Sequence, residues 1–204
     1  YRDPATRELL TTLVGISEID LATTTAVLLA WDGLLRVSEY LPQEGWSASP
    51  EFSLLRRDVE RTRIANVDGY RIRLKRSKSD QYNTGSWHYF ARRVGDPLCA
   101  VAALDKYLKV YDFRYARARG DLPLFIRRRL VARSGMPPYV ILRADDVSFA
   151  LKQAAVVMGI DPEFLSTHSL RIGGAFALAD AGCPIPLIQQ RGRWSEKGSN
   201  EIAL

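Results

Sequence analysis

The apolar positions fall into blocks with different periods. From Leu21 to Leu35 they lie nearly all round a helical wheel (Leu21, Ala22, Ala26, Val27, Leu28, Leu29, Ala30, Trp31, Leu34, Leu35). That pattern predicts a central helix buried on every side, with Arg36 following directly on it. Between residues 52 and 92 the period shortens. Leu54 to Ile64 and Tyr70 to Leu74 mix β-branched, aromatic and long charged residues, and Val67-Asp68-Gly69 reads as the turn between them. A third strand is expected to carry Trp87, Tyr89 and Phe90, giving a small antiparallel sheet with one face turned to solvent or a ligand.

Helical spacing then returns. Asp96-Pro97 reads as an N-cap followed by proline at the first helical position, opening a helix whose inner face holds Val101, Leu104, Tyr107 and Leu108. Another helix is predicted from Asp145 or Asp146 to Gly159, with Val147, Leu151, Ala154 and Met158 on its apolar face. Between the two, residues 114 to 133 hold seven arginines and one acid, Asp121, and together with Pro123, Pro137 and Pro138 predict a loop-rich connection. This is either a solvated basic loop or a contact for a phosphate backbone. A further helix starts at Ser166 or Thr167 and ends at Gly182. Inside it Gly173 and Gly174 each cost about 0.8–1 kcal/mol relative to alanine, which points to close approach of another backbone. Pro184 to Arg191 predicts a short helix with Ile185 and Ile188 inward, ended by Gly192 so that Trp194 emerges at a corner. The sum is an α+β chain, mainly α, read as one domain over residues 1–204.

Composition narrows the chemistry. The chain has 29 Lys and Arg against 23 Asp and Glu, a net charge of +6 that makes an anionic partner plausible. Its two cysteines, Cys99 and Cys183, lack metal-ligand spacing, so neither a disulfide framework nor a zinc site is expected, and a reducing, intracellular compartment fits. No apolar run of membrane-spanning length occurs, and no membrane insertion is expected. The opening Tyr1, in place of methionine, suggests a processed or fragmentary chain.

One segment carries more than pattern. In Thr167-His168-Ser169-Leu170-Arg171-Ile172-Gly173-Gly174-Ala175, His168 and Arg171 stand three apart and so share a helix face. An imidazole and a planar guanidinium aimed at one spot suit a phosphate diester, whose two non-bridging oxygens the guanidinium fork can hold together. Upstream lies Gly33-Leu34-Leu35-Arg36-Val37-Ser38-Glu39; between two predicted strands lies Ser77-Lys78-Ser79-Asp80; downstream lies Gly192-Arg193-Trp194.

In that order these segments resemble the tyrosine recombinase (phage integrase) family: its first arginine motif, its β-hairpin lysine, its second arginine motif, and the position it fills with histidine or tryptophan. The wording, Gly-Arg-Trp above all, is most similar to recombinases of DIRS-type and crypton-like eukaryotic mobile elements. The resemblance covers about residues 20 to 195. It implies a recombinase catalytic-domain-like fold with a three-stranded sheet and a partner in double-stranded DNA, engaged by a homo-oligomer or within a larger protein assembly. A nuclear or organellar site would follow if the host is eukaryotic. The implied chemistry is in-line attack of a tyrosine hydroxyl on a phosphodiester, with charge building on the equatorial oxygens. Arg36 and Arg171 would clamp those oxygens, with the Arg171 guanidinium facing the cleft. His168 and Trp194 would add hydrogen bonds, Lys78 would protonate the departing 5′ oxygen, and Glu39 would orient a cationic or imidazole partner. Neither metal nor cofactor is called for.

Two features stand apart from that pattern. The family's nucleophilic tyrosine follows the histidine-or-tryptophan position by roughly nine residues, about two to three helical turns. Here Ile202 and Ala203 occupy those places, and Tyr139 is the last tyrosine. The N-terminal core-binding domain of the family is not recognisable either. Two functions are therefore open: a DNA-strand-transferring domain whose tyrosine comes from elsewhere, or a non-catalytic recombinase-derived DNA-binding or structural subunit. Each residue also has a plainer reading. Arg36 could serve the carbonyls at the end of the buried helix, Trp194 could be core, and Lys78, near Arg73, Lys75 and Arg76, could belong to a solvated basic face.

Overall fold

The computed structural model describes residues 3–42, 54–75, 85–116, 120–131 and 134–194. Helix α1 (Arg7–Gly15), which the sequence pattern did not signal, begins at Thr6, whose hydroxyl accepts from the Leu9 N–H at 3.3 Å. Helix α2 (Leu21–Asp32) is the central one. Asp20 caps it by accepting from the Thr23 N–H at 3.0 Å, and every residue from Thr25 to Trp31 is buried. It packs against α1, α4 (Ala100–Tyr115), α5 (Ala144–Met158) and α6 (Thr167–Asp180), which explains why no polar stripe runs along it.

The helix ends earlier than the apolar run. Gly33 is its C-cap and Leu34 takes a left-handed φ of 49° while fully buried, so the chain turns sharply before Arg36. Arg36 is thus the N-cap of a new one-turn helix, α3 (Val37–Tyr40), rather than the last charge of α2; its N–H donates to Glu39 Oε2 at 2.7 Å.

The sheet has three antiparallel strands in sequence order: β1 (Val59–Ile64), β2 (Val67–Leu74) and β3 (Ser86–Ala91). Its first turn is at Ala65 and Asn66, both at positive φ (47° and 67°), as a tight two-residue hairpin requires. Val67, Asp68 and Gly69, expected as that turn, are the start of β2. Gly69 serves close strand approach, since a Cβ there would stand 2.2 Å from the Phe90 carbonyl oxygen. Along β3 the parity is clear: His88 and Phe90 are buried, and Trp87 and Tyr89 are exposed.

Helix α4 begins at Ala100, later than Asp96-Pro97 suggested. Asp96 instead closes a turn, its carboxylate accepting from Leu98 N–H at 3.0 Å and its carbonyl from Cys99 N–H at 3.1 Å. The arginine-rich connection is not all loop: β4 (Ile126–Arg128) pairs antiparallel with β5 (Tyr139–Ile141). Tyr107 ties this ladder to α4, its hydroxyl lying 2.9 Å from the Ile126 N–H and 2.7 Å from the Leu124 carbonyl. Helix α5 stops at Gly159, which takes φ 70°.

Helix α6 sits against two other backbones. A Cβ on Gly173 would lie 1.9 Å from the Ala5 carbonyl oxygen, and one on Gly174 would lie 2.1 Å from that of Trp31. The two costly glycines thus let α6 press onto both the N-terminal segment and α2. Helix α7 (Ile185–Gly192) buries Ile188 but leaves Ile185 exposed, so only one of the two isoleucines expected inward is inward. The fold is α+β and mainly helical, with one small three-stranded antiparallel sheet and a two-stranded ladder. Among the described residues no helix is long and apolar enough to cross a membrane.

Candidate phosphate-binding site

The contact of α6 with the end of α2 brings together residues far apart in sequence. Arg171 lies within α6 and points at the turn after α2. Its Nη1 donates to the Leu34 carbonyl and its Nη2 to the Gly192 carbonyl. The Trp194 ring covers the guanidinium, 4.5 Å from its centre. Trp194 is itself seated against Gly192, where a Cβ would come within 2.4 Å of the ring. Arg171 is therefore only 2% exposed, and the expectation that its guanidinium faces an open cleft is not met. Two peptide carbonyls and an indole face hold it in the wall of the site.

Arg36 lies beside it and is more open, with about a quarter of its side chain exposed. Its Nη1 lies 3.3 Å from Glu39 Oε1. Glu39 is almost wholly buried and is the hub of the site. It also receives Arg193, whose Nη2 is 2.5 Å from Oε2 and whose Nε is 3.3 Å from Oε1. Arg193 reaches it because it ends α7 in the left-handed conformation, φ 56° and ψ 42°. Two guanidiniums thus share one carboxylate, and the third, Arg171, feels its charge without touching it. Burial, with the charges of Arg36 and Arg193 close by, pushes Arg171 down to about 9, and it remains a cation at neutral pH. Burial likewise lowers Arg193, against the pull of Glu39.

His88 enters from the sheet. Its Nε2 is 2.7 Å from Arg193 Nη1 and 3.1 Å from the Gly33 carbonyl oxygen. A neutral ring nitrogen cannot accept and donate at once, and the shorter contact favours Arg193 donating to Nε2, with the ring proton on Nδ1. Burial first, then the charges of Arg193 and Arg191, push His88 down to about 3, so it is neutral. Arg191 completes the wall by donating from Nε to the Asp32 carbonyl at 2.8 Å, locking α7 to the end of α2.

His168 stands one turn before Arg171 on α6, in the first turn after the Ser166 cap, and is exposed. Arg36, Arg171 and Trp194 are therefore gathered at one place, with His168 on the same helix as Arg171. Lys78 lies outside the described residues, as do Ile202 and Ala203. His88 and Arg193 were missed. The signal for His88 was its parity with Phe90 along β3; Arg193 was visible inside Gly-Arg-Trp, but nothing in sequence told that its side chain turns inward.

No protein-family model matches the chain, and no curated protein matches it. Among solved structures it is similar to the Tn1549 transposon integrase in complex with a circular intermediate DNA, at 13% identity and a TM-score of 0.47, over 98% of this chain and 61% of that one. A second complex of that integrase with circular intermediate DNA gives 12% identity and a TM-score of 0.49, over 100% of this chain and 62% of that one. The chain spans about three fifths of the length of these integrase chains. The functional reading therefore rests on the residues of the site.

Proposed function

We propose that this chain binds duplex DNA by seating a backbone phosphate against Arg36 and His168, over a wall formed by Arg171, Arg193 and Trp194, and that it is a recombinase-like domain of tyrosine recombinase descent. The observation that carries the reading is the charge imbalance: Arg36 and Arg193 pair with Glu39 while Arg171, close by, meets only carbonyls and an indole face, so among the described residues the site holds more positive charge than its one carboxylate neutralises. Such a site is stabilised by an anion, and the α6 N-terminus beside it adds its partial positive charge. The order of the motifs along the chain supports the descent, and Gly-Arg-Trp supports kinship with DIRS-type and crypton-like elements.

In this reading Arg36 and His168 touch the phosphate first, since they are the accessible members. Arg171 strengthens the field from behind and exchanges a carbonyl for a phosphate oxygen only if α7 and Trp194 shift. No tyrosine follows Trp194 in the sequence. The function proposed for these 204 residues is accordingly phosphate binding, with strand cleavage requiring a nucleophile from another segment or subunit. Such a domain works inside the cell where duplex DNA is held, which is the nucleus or a DNA-bearing organelle if the host is eukaryotic, and in an assembly on DNA. The test is fluorescence anisotropy with a labelled duplex. Arg36→Ala should weaken binding by about tenfold, the loss of one charge-assisted contact, with the thermal midpoint unchanged. Wild-type affinity in that variant would reject the site.

A further inference from the structure

A second cluster of cations lies at the other end of α2. Between the start of α2, the end of α4 and the β4–β5 ladder is a cleft of about 570 Å³, in the size range of small-molecule sites. Helix α2 has 12 residues, which at about 1.5 Å per residue puts some 18 Å between this cleft and the Arg36 site. The described part of the basic stretch, for which the sequence left a solvated loop and a phosphate-backbone contact both open, therefore lies at the far end of the central helix from that site.

The cleft has two chemically distinct parts. Its floor is apolar: Leu21 and Val110, each more than a third exposed, lie with Ile126 and Val140 among its lining. Its rim is cationic, with Arg114, Arg128 and Arg129. Among the described residues none of these three arginines has a carboxylate within ion-pair distance, whereas neighbouring Arg127 is engaged by Asp146 and by Asp20 at 3.5 Å. Arg129 is fixed in place by donating to the Pro137 carbonyl at 3.0 Å. Glu18 also lines the cleft, and its carboxylate disfavours a second anionic group beside it.

We propose that this cleft is a binding site for a small amphiphilic anion: a flat apolar body lying on Leu21 and Val110, with a single carboxylate or phosphate head held by Arg114 and Arg128. Apolar surface left open beside guanidiniums that have no carboxylate partner among the described residues is complementary to such a ligand. It is a poor match for a DNA backbone, which offers phosphates without an apolar body. The site is independent of the DNA-binding reading, because it shares no residue with it.

Isothermal titration with 2-naphthoate tests this, with neutral 2-naphthalenemethanol and a DNA duplex as separate arms. The wild-type chain should bind one naphthoate saturably and bind the neutral analogue about tenfold more weakly, the alcohol lacking the charge-assisted bonds. Arg114→Ala/Arg128→Ala should weaken naphthoate by a similar factor and leave duplex binding unchanged, and Val110→Asp should weaken both naphthalenes. The proposal is overturned by absent saturable binding of naphthoate, by equal affinity in the double variant, or by loss of duplex binding in that variant. The last result would make the rim a DNA contact. A phosphate-headed naphthalene, 2-naphthyl phosphate, distinguishes the two head groups, and both should bind more tightly than the alcohol.

Discussion

Arg193 meets Glu39 across 154 residues of sequence, with its Nη2 2.5 Å from a carboxylate that is only 1% exposed. That contact joins the end of α7 to the one-turn helix α3, and it fixes the carboxylate that in turn orients Arg36. Removing the carboxylate leaves Arg36, Arg171 and Arg193 facing one another without a counter-charge. Glu39→Ala should therefore destabilise the fold by about 3–5 kcal/mol, the range for breaking a buried ion pair from one side. Urea unfolding measures it; a loss under about 1 kcal/mol would mean that Arg36 and Arg193 do not share Glu39 as described.

Arg36 and Arg171 should separate stability from binding. Arg171 satisfies the Leu34 and Gly192 carbonyls and carries Trp194 on its face, so Arg171→Ala orphans two buried acceptors. A loss of about 2–4 kcal/mol is expected from that desolvation. Arg36 is partly exposed, and its pairing with Glu39 at 3.3 Å is worth less than about 1 kcal/mol. Thermal melts of the two variants beside their duplex affinities distinguish a wall residue from a contact residue. Equal melting points would place Arg171 in the open cleft after all.

The central helix, the three strands, the α6 helix and the need for a close backbone at Gly173 and Gly174 follow from period, caps and residue cost, because each is a local property. The orientation of Arg171 is not local. Whether a guanidinium faces solvent or a carbonyl depends on where Leu34 and Gly192 stop, and both carbonyls are freed by helix ends. The early end of α2 turned on Leu34 taking a positive φ, which its residue type disfavours and its buried environment imposes. His88 was hidden because a lone histidine within a strand gives no sign of meeting Arg193.

Gly174 offers a sharp test of the packing that creates the site. In an open helix, glycine to alanine is favourable by about 0.8–1 kcal/mol. Here the added methyl would stand 2.1 Å from the Trp31 carbonyl oxygen, so α6 would have to move off α2. Gly174→Ala should cost about 2–3 kcal/mol by overpacking and should weaken duplex binding too, since Arg171 moves with the helix. Calorimetry and anisotropy on the same sample check both parts; a stabilised variant would contradict the close contact.

The buried imidazole predicts a pH dependence with a definite sign. His88 is held down to about 3 in the folded chain, against an ordinary value of 6.5 when unfolded. Between those values the unfolded chain binds the proton and the folded chain does not, so stability falls as pH drops from 6.5 toward 3. The slope from this group approaches about 1.4 kcal/mol per pH unit once well below 6.5. His88→Gln cannot titrate, and its stability should decline less steeply between pH 6.5 and 5, where most carboxylates are still ionised. Parallel urea midpoints for the two proteins over that interval would show that His88 is not buried beside Arg193.

The central claim is that Arg36 belongs to a phosphate-binding site for duplex DNA, and the salt dependence of affinity tests it most directly. Each neutralised phosphate contributes a slope of about −0.9 in a plot of log affinity against log salt. Wild-type chain titrated against a labelled duplex from about 50 to about 200 mM salt should show a steep fall, and Arg36→Ala should show a slope shallower by about one phosphate. Affinity that does not change with salt, or an Arg36→Ala slope equal to that of the wild type, would contradict the account.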